Sequence, residues 1–161
     1  MVRWLSDDEL RAWIRLVSVC ELLPAALDSQ LRRDAGLTHY EYFVLARLSD
    51  APDQTLRMST LAARTNATLP RLSHVVARLE QQGMVERAPC PEDARATNAR
   101  LTAQGRDKVA QAAPGHVEIV RRQAIDALSP QQVQQLSDIA EAILRRLDPE
   151  DRLGIKEIDA H

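Results

Sequence analysis

Apolar residues recur at three- and four-residue spacings along much of the chain, a pattern typical of amphipathic helices. The first periodic segment ends at Gly36, and two more follow Thr102 and Ser129. Between them, shorter periodic stretches alternate with turn residues and with two extended stretches. The pattern therefore predicts a mainly α-helical (α+β) protein with a small sheet in the middle of the chain.

Polar residues in capping positions predict where these helices begin. Three pairs have the capping-box spacing: Ser6–Glu9, Thr38–Glu41 and Ser129–Gln132. Thr68 and Thr102 are predicted to cap two further helices, and Ser59 a short helix over Thr60–Thr65. Pro24 lies inside the first long pattern, where a proline kinks or splits a helix.

The middle of the chain has the element order of a helix-turn-helix with a wing. Asn66 is suited to the left-handed turn after the short helix, and the helix after Thr68 stops at Gly83. The segments expected to form the wing are a minimal strand at Gln54–Arg57, strands at Met84–Ala88 and Thr97–Leu101, and a polar loop at Pro89–Ala96. This frame places one helix in the major groove of DNA and the wing beside it.

The organisation predicted for the chain has three parts. Residues 38–102 form the winged helix-turn-helix, residues 1–37 and 103–147 form a helical dimerisation region, and residues 148–161 form a polar C-terminal tail. The outer helices, those of residues 1–37 and 103–147, carry more apolar surface than is needed to cover the small winged lobe of residues 38–102. A platform that pairs with a second copy of the chain is therefore expected. The alternative is that these faces bury against the winged lobe of the same chain.

Charge is distributed unevenly although the net charge is only −2. From Arg57 to Lys108 there are 9 basic and 5 acidic residues, a balance of +4 that leaves −6 for the rest of the chain. A basic middle suits a phosphate-binding face. All five aromatic residues precede Val44, so this face lacks the rings that stack on single-stranded bases, and double-stranded DNA is the expected partner.

Three side chains of the predicted recognition helix share the side away from its apolar stripe: Arg71, His74 and Arg78. Arg71, in the first turns, is best placed to read a base edge, and Arg78 to meet phosphate. The Thr68 hydroxyl and the amides at the helix N-terminus are suited to hold a phosphate. The alternative is an ordinary solvated helix face.

The predicted wing loop carries Asp93 and Arg95. An arginine there is positioned for the narrow, electronegative minor groove. Asp93 is better suited to fixing the loop, by bonding an arginine or the backbone, than to touching DNA. The alternative is an exposed ion pair of little energetic value.

These elements resemble the MarR (multiple antibiotic resistance regulator) family of winged-helix repressors. The resemblance rests on LAARTNATLPRLSHVVARLEQQGMVER and on PEDARATNARLT, which fits that family's D-x-R…L-T pattern. It implies an obligate dimer that binds an imperfect palindrome and represses a nearby gene. The DNA contacts predicted with it are Ser59, Thr68, Leu69, Pro70, Arg71, Ser73, His74, Arg78 and Arg95. Leu69 and Pro70 replace polar residues often found there, so base reading is expected to depend more on Arg71 and His74.

The resemblance also implies release from DNA by a small, often phenolic anion bound between the platform and the winged lobe. An aromatic wall with a cation suits an aromatic carboxylate. The candidate lining residues are Trp13, Arg15, His39, Tyr42, Val117 and Arg121. The alternative is that Trp13 and Tyr42 are core residues and Arg15 is solvated.

Other function classes are less well supported by the sequence. Cys20 suggests a thiol-based redox-sensing repressor with Tyr40 and Tyr42 nearby, but a small apolar core position is favoured for it, and Cys90 is expected to be more exposed and incidental. A winged helix used for protein–protein contact would show a neutral or apolar helix face.

The sequence contains no phosphate-binding loop, no nucleophile motif and no metal-ligand spacing, so no enzyme, metal or cofactor is predicted. The absence of a signal peptide or apolar span predicts a cytoplasmic protein without membrane contact.

Overall fold

The computed structural model describes residues 1–158, which contain seven α-helices and three strands. The elements in chain order are α1 (Asp7–Ala35), α2 (His39–Asp50), β1 (Thr55–Arg57), α3 (Met58–Arg64), α4 (Leu69–Gln81), β2 (Val85–Cys90), β3 (Asp93–Leu101), α5 (Ala103–Gln123), α6 (Pro130–Leu147) and α7 (Ile155–Ile158). Short 3₁₀ turns at Pro52–Gln54 and Ile125–Ala127 join α2 to β1 and α5 to α6. The predicted mainly α-helical class with a small sheet is confirmed.

Helix starts follow the predicted capping signals. All three capping boxes form, at the starts of α1, α2 and α6. Thr102 caps α5, and Thr68 caps α4 through a longer contact of 3.4 Å from its Oγ1 to the amide of Arg71. Asn66 has the predicted left-handed conformation, with φ of 49°. Gly36, the predicted end of the first segment, is left-handed as well, with φ of 66°.

Two predictions about helices are corrected by the structure. Ser59 does not cap α3, because the helix begins at Met58, directly after β1, and its N-cap is Arg57, whose side chain makes no capping hydrogen bond to the helix. Starting there places Met58 in the core at 7% exposure. α1 passes through the exposed Pro24 as one continuous helix, so the predicted alternative of a split is wrong, while a kink there stays a prediction.

The wing differs from the predicted strand–loop–strand arrangement. The antiparallel sheet has the order β1-β3-β2, and the turn between β2 and β3 is only Pro91–Glu92. Pairing passes from Pro89↔Thr97 to Cys90↔Asp93, which leaves Ala94–Ala96 without partners in β2. Asp93 and Arg95 therefore belong to an irregular strand and not to an open loop. Bulges of this kind redirect side chains at sheet edges.

The apolar core lies in the winged lobe and reaches towards α1 and α5. Its fully buried side chains include Leu31, Leu37, Val44, Leu45, Leu48, Leu61, Leu72, Val76 and Leu79. Ala112 of α5 joins this cluster. The core thus fixes α4 through its stripe of Leu72, Val76 and Leu79.

The outer helices expose apolar side chains on the single chain. None of the eighteen residues of α6, which lies wholly in the described part of the chain, is buried. Leu136 and Ile139 are 48% and 58% exposed, and Trp13 and Ile14 of α1 are exposed by more than half. α6 therefore does not bury its apolar face against its own winged lobe, which was the alternative to a dimerisation platform.

The C-terminal segment is ordered through its first turns. The carboxylate of Asp148 accepts the amides of Arg152 and Leu153, and that of Asp151 accepts the amides of Ile155 and Lys156. Gly154 is buried near Arg64 of α3. The predicted tail extends to His161, and its last three residues lie outside the described residues. Among the helices described, none combines the length and apolar character that a membrane crossing requires.

Candidate nucleic-acid interface

Helix α4 exposes one side along its whole length. Its buried stripe faces the core, and Leu69, Pro70, Arg71, His74 and Arg78 are all exposed, with Ser73 half-buried. Thr68, exposed at the N-cap, begins the helix. The structure thus brings the predicted recognition residues onto one element, while Ser59 lies exposed in the first turn of neighbouring α3.

Arg71 does not project freely from α4. Its guanidinium carbon lies 4.5 Å from the centre of the Tyr40 ring in α2, a cation–π geometry. The hydroxyl of Tyr40 is 3.0 Å from Thr65 Oγ1 at the end of α3. Tyr40 therefore contacts both helices of the helix-turn-helix.

Arg78 is engaged by the same part of α2. Its guanidinium lies 3.0 Å from Oε1 of Glu41, whose side chain is only 3% exposed. Within the described part of the chain that oxygen receives no aligned hydrogen bond, so the ion pair is its principal compensation for burial. The other oxygen of Glu41 accepts the amide of Thr38 in the capping box. Arg78, predicted to meet phosphate, thus has a structural partner as well.

The wing carries one unpaired arginine between paired ones. Asp93 Oδ1 accepts the amide of Arg95 at 3.1 Å, and Asp93 Oδ2 lies 3.8 Å from Arg57. Arg87 pairs with Glu80 of α4 at 2.8 Å, and this contact lowers the pKa of Glu80. The exposed guanidinium of Arg95 forms no ion pair with any residue from 1 to 158.

A groove of about 410 Å³ separates α4 from the wing. Leu69 and Ser73 of α4 line one side, Arg87 and Arg95 line the other, and Ser59 lies at the start of α3. The groove offers cations and hydroxyls to an anionic ligand that runs between helix and wing. The arginines that line the groove supply the positive charge that binding to DNA phosphates requires. The groove lies next to the exposed face of α4.

The predicted ligand residues are only partly brought together. His39 and Tyr42 meet around His116 of α5, with ring centres 6.1 Å and 4.6 Å from it. Trp13, Arg15 and Val117 are exposed on the single chain. Arg121 is exposed as well and pairs with Asp126 at 2.7 Å.

Burial shifts the titration of this aromatic cluster. Desolvation lowers the pKa of His39, against the opposing charge of Asp28. Desolvation and the neighbouring His39 lower the pKa of His116, and desolvation raises the pKa of Tyr42. The cluster therefore favours neutral rings between α2 and α5.

The two cysteines lie opposite to expectation. Cys20 is exposed on the single chain, so its predicted core position is wrong for one chain alone. Cys90 is buried because the register shift at the end of β2 turns it inward. Tyr40 and Tyr42, which the redox alternative places near Cys20, contact Thr65 and His116 instead.

Sequence reasoning missed three residues of this region. His116 entered no prediction, Tyr40 was considered only as a redox neighbour, and Glu41 only as part of a capping box. The capping box was the one available signal for Glu41, because each of these contacts joins residues that are distant in sequence.

Comparison with known proteins places this geometry in a family. A model described as the MarR family matches residues 35–96. The chain is 40% identical to Sco3205, a MarR family transcriptional regulator from Streptomyces coelicolor solved in complex with DNA, with a TM-score of 0.88 and 94% of each chain covered. It is 37% identical to AbsC, a MarR family transcriptional regulator from the same organism, with a TM-score of 0.85, covering 91% of this chain and 98% of AbsC.

A curated relative agrees with these structures. The repressor YetL of Bacillus subtilis is 30% identical over 111 residues, which span 67% of this chain and 66% of YetL, slightly less than two-thirds of that protein. The match to Sco3205 along nearly the whole of both chains is decisive for the fold as well as the family. The chain belongs to the MarR family of winged-helix transcriptional regulators.

Proposed function

We propose that this protein is a cytoplasmic transcriptional repressor, without enzymatic activity, that binds double-stranded DNA as a homodimer at an imperfect palindrome. The observation that carries the proposal is the groove between α4 and the wing, with Leu69 and Ser73 of α4 on one side and Arg95 on the other. The relative Sco3205, 40% identical, was solved in complex with DNA.

The predicted DNA-contacting residues are proposed to make three kinds of contact: with phosphate, with base edges in the major groove, and with the minor groove. Thr68 and the amides at the start of α4 hold a phosphate, and Arg71 and His74 meet base edges in the major groove. Arg95 enters the minor groove, held at its backbone by Asp93. Leu69 and Pro70 offer only apolar contacts, so Arg71, His74 and Arg95 carry most of the discrimination.

The apolar face of α6 supports the dimer. Its exposed residues form a continuous stripe that a second copy would cover. A two-fold dimer presents two α4 helices to successive major grooves, about 10 base pairs apart or a multiple of this. Inverted half-sites at that spacing are therefore expected.

Release by a small aromatic anion is the regulatory part of the proposal. The ring cluster of His39, Tyr42 and His116 supports it, since aromatic walls suit a phenolic ligand. A thermal-shift screen of phenolic acids, followed by competition against bound duplex, tests this part separately from DNA binding.

The decisive experiment selects bound duplexes from a random library and then measures affinity as salt is raised. An inverted repeat is expected, and binding should weaken steeply with salt because phosphate contacts release counterions. If no duplex is enriched even at low salt, the function proposed here is wrong, and protein–protein contact becomes the better hypothesis.

Replacing Arg95 with alanine tests the wing. Affinity should fall by about tenfold or more, most at A/T-rich flanks, because the lost contact lies in the minor groove. Arg100→Ala, at an exposed arginine of the same strand paired with Glu86, is the matched control. If Arg95→Ala instead unfolds enough of the protein to account for its loss of affinity, a DNA-contacting role for Arg95 would be contradicted.

A further inference from the structure

We propose that Tyr40 of α2 is a positioning residue for DNA reading: it holds the guanidinium of Arg71 in the place from which α4 reads a base. The inference rests on the proposed function and deepens it. Tyr40 lies outside the helix-turn-helix and is itself partly buried against the core. Its effect on DNA is therefore exerted through Arg71.

The first observation is the stack on Arg71. The guanidinium carbon is 4.5 Å from the centre of the Tyr40 ring, while Arg71 remains exposed. An exposed arginine otherwise samples many rotamers, and ordering it at a base edge costs conformational entropy. A ring beneath the guanidinium restricts those rotamers before DNA arrives.

The second observation fixes the ring itself. Thr65 is buried, and its hydroxyl donates to the carbonyl of Leu61 at 2.7 Å. With its proton used there, Thr65 Oγ1 accepts from the hydroxyl of Tyr40 at 3.0 Å. The bond joins α2 to the last turn of α3, next to the turn that leads into α4.

The third observation is that the next residue of α2, Glu41, engages a second arginine of α4. Glu41 holds Arg78 by an ion pair at 3.0 Å. Two consecutive residues of α2 thus engage two arginines of α4 that are two turns apart. The start of α2 therefore sets both the orientation of α4 and the direction of its cationic side chains.

The test is a double-mutant cycle on base preference. Random-library selection with wild type and Arg71→Ala first identifies the base position that Arg71 reads. Tyr40→Leu should then reduce discrimination at that position by about threefold to tenfold in the wild-type background. In the Arg71→Ala background the same substitution should leave discrimination unchanged, because the side chain that it positions is absent.

Two further variants separate the stack from a general effect on folding. Tyr40→Phe keeps the ring that stacks on Arg71 and removes only the bond to Thr65, so it should lose less of the base preference than Tyr40→Leu. Phe43→Leu is the matched control, since Phe43 makes a comparable stack with Arg47 at 5.0 Å on the same helix. Phe43→Leu should not change the preference in either background.

Several results would overturn the positioning role while leaving DNA binding itself established. These are an equal loss from Tyr40→Leu in both backgrounds, a gain in affinity on removing the ring, the same loss from Phe43→Leu, or no base position sensitive to Arg71→Ala. Failure of the wild type to bind any duplex would instead remove the proposed function on which this inference rests.

Discussion

His39 and His116 bring two ionisable rings together between α2 and α5. Their ring centres are 6.1 Å apart, and the rings are roughly parallel. Burial lowers the pKa of both below the ordinary histidine value of 6.5, and the buried Nδ1 of His116 has no hydrogen-bond partner among residues 1–158. Asp28 receives the backbone amide of His39 and offsets only part of this effect. Protonation therefore opposes the packing of α5 on α2.

A pH dependence of stability follows from these lowered pKa values. The unfolded chain takes up protons near pH 6.5, before the folded chain does. The free energy of unfolding should therefore be highest above that pH and fall as pH drops through the pKa values of the folded state. Chemical denaturation at a series of pH values measures it.

Substituted histidines provide the control for that measurement. His39→Gln with His116→Gln should flatten the slope below pH 6.5, since neither position can then be protonated. His74→Gln, at the exposed face of α4, should leave the slope as in wild type. An unchanged slope in the double variant would show that the cluster does not govern acid stability.

Residues were predictable where their function is encoded locally. Thr38 and Glu41 are three positions apart, so their capping box is readable from the sequence. The pairing of Glu41 with Arg78 and the stack of Tyr40 on Arg71 depend on how α2 crosses α4, which spacing along the chain does not specify. The same reason explains the wrong expectations for Cys20 and Cys90.

The start of α5 is the covalent joint between the wing and the outer helices. The hydroxyl of Thr102 donates to the carbonyl of Gly83 at 2.7 Å and accepts the amide of Gly105 at 3.0 Å. The amide of Thr102 donates to the carbonyl of Met84. Gly105 is buried in this joint, which holds the first turn of α5 directly against the start of β2.

Gly105→Ala should therefore destabilise the fold. A Cβ at this position would lie 2.2 Å from the backbone oxygen of Met84, and a backbone group cannot move aside as a side chain can. The expected loss in the free energy of unfolding is about 1–3 kcal/mol, typical of overpacking. Thermal and denaturant unfolding measure it.

Gly115→Ala on the same helix is the matched substitution. There the nearest atom is the side-chain Nε2 of Gln30 at 3.1 Å, and a small shift of that side chain, which donates to Asp34, relieves the contact without moving any backbone. Replacing glycine by alanine inside a helix gains about 1 kcal/mol of propensity, so this variant should be neutral or more stable. Equal behaviour of the two variants would show that contact with Met84 does not limit the joint.

Helices were more predictable than the wing. Capping and periodicity located α1, α2, α4, α5 and α6, because both are properties of neighbouring residues. The hairpin was predicted with short strands because Pro89, Pro91 and the polar residues around them indicate a loop. In the structure, pairing with β3 extends through Pro89 and an irregular register accommodates the extra residues.

The two α4 helices of a dimer can be spaced correctly only if the outer helices associate. The winged lobe has its own core, centred on residues such as Leu45 and Leu72, and it does not need α6 to complete it. We therefore propose that the apolar face of α6 serves assembly with a second copy. Its sequence pattern predicted this surplus, but a single chain does not specify which face of a second copy covers it.

Ile139→Glu tests assembly and reading together. Ile139 is 58% exposed on the single chain and lies in the apolar stripe of α6, so a carboxylate there would be buried without a partner in a dimer. The variant should be monomeric in sedimentation equilibrium. Affinity for a two-half-site duplex should fall by about 100-fold or more, because each winged lobe then binds alone.

The same charge on the polar side of α6 isolates the effect of position. Gln134 is exposed and lies five residues before Ile139, on the side of α6 opposite the apolar stripe, so Gln134→Glu should remain dimeric and bind the full palindrome with nearly wild-type affinity. For Ile139→Glu, binding to a duplex with only one half-site should change little, because the α4–wing groove and the core of the winged lobe are untouched. A variant that stays dimeric, or that loses single half-site binding to the same degree, would mean that α6 does not set the spacing between two reading heads.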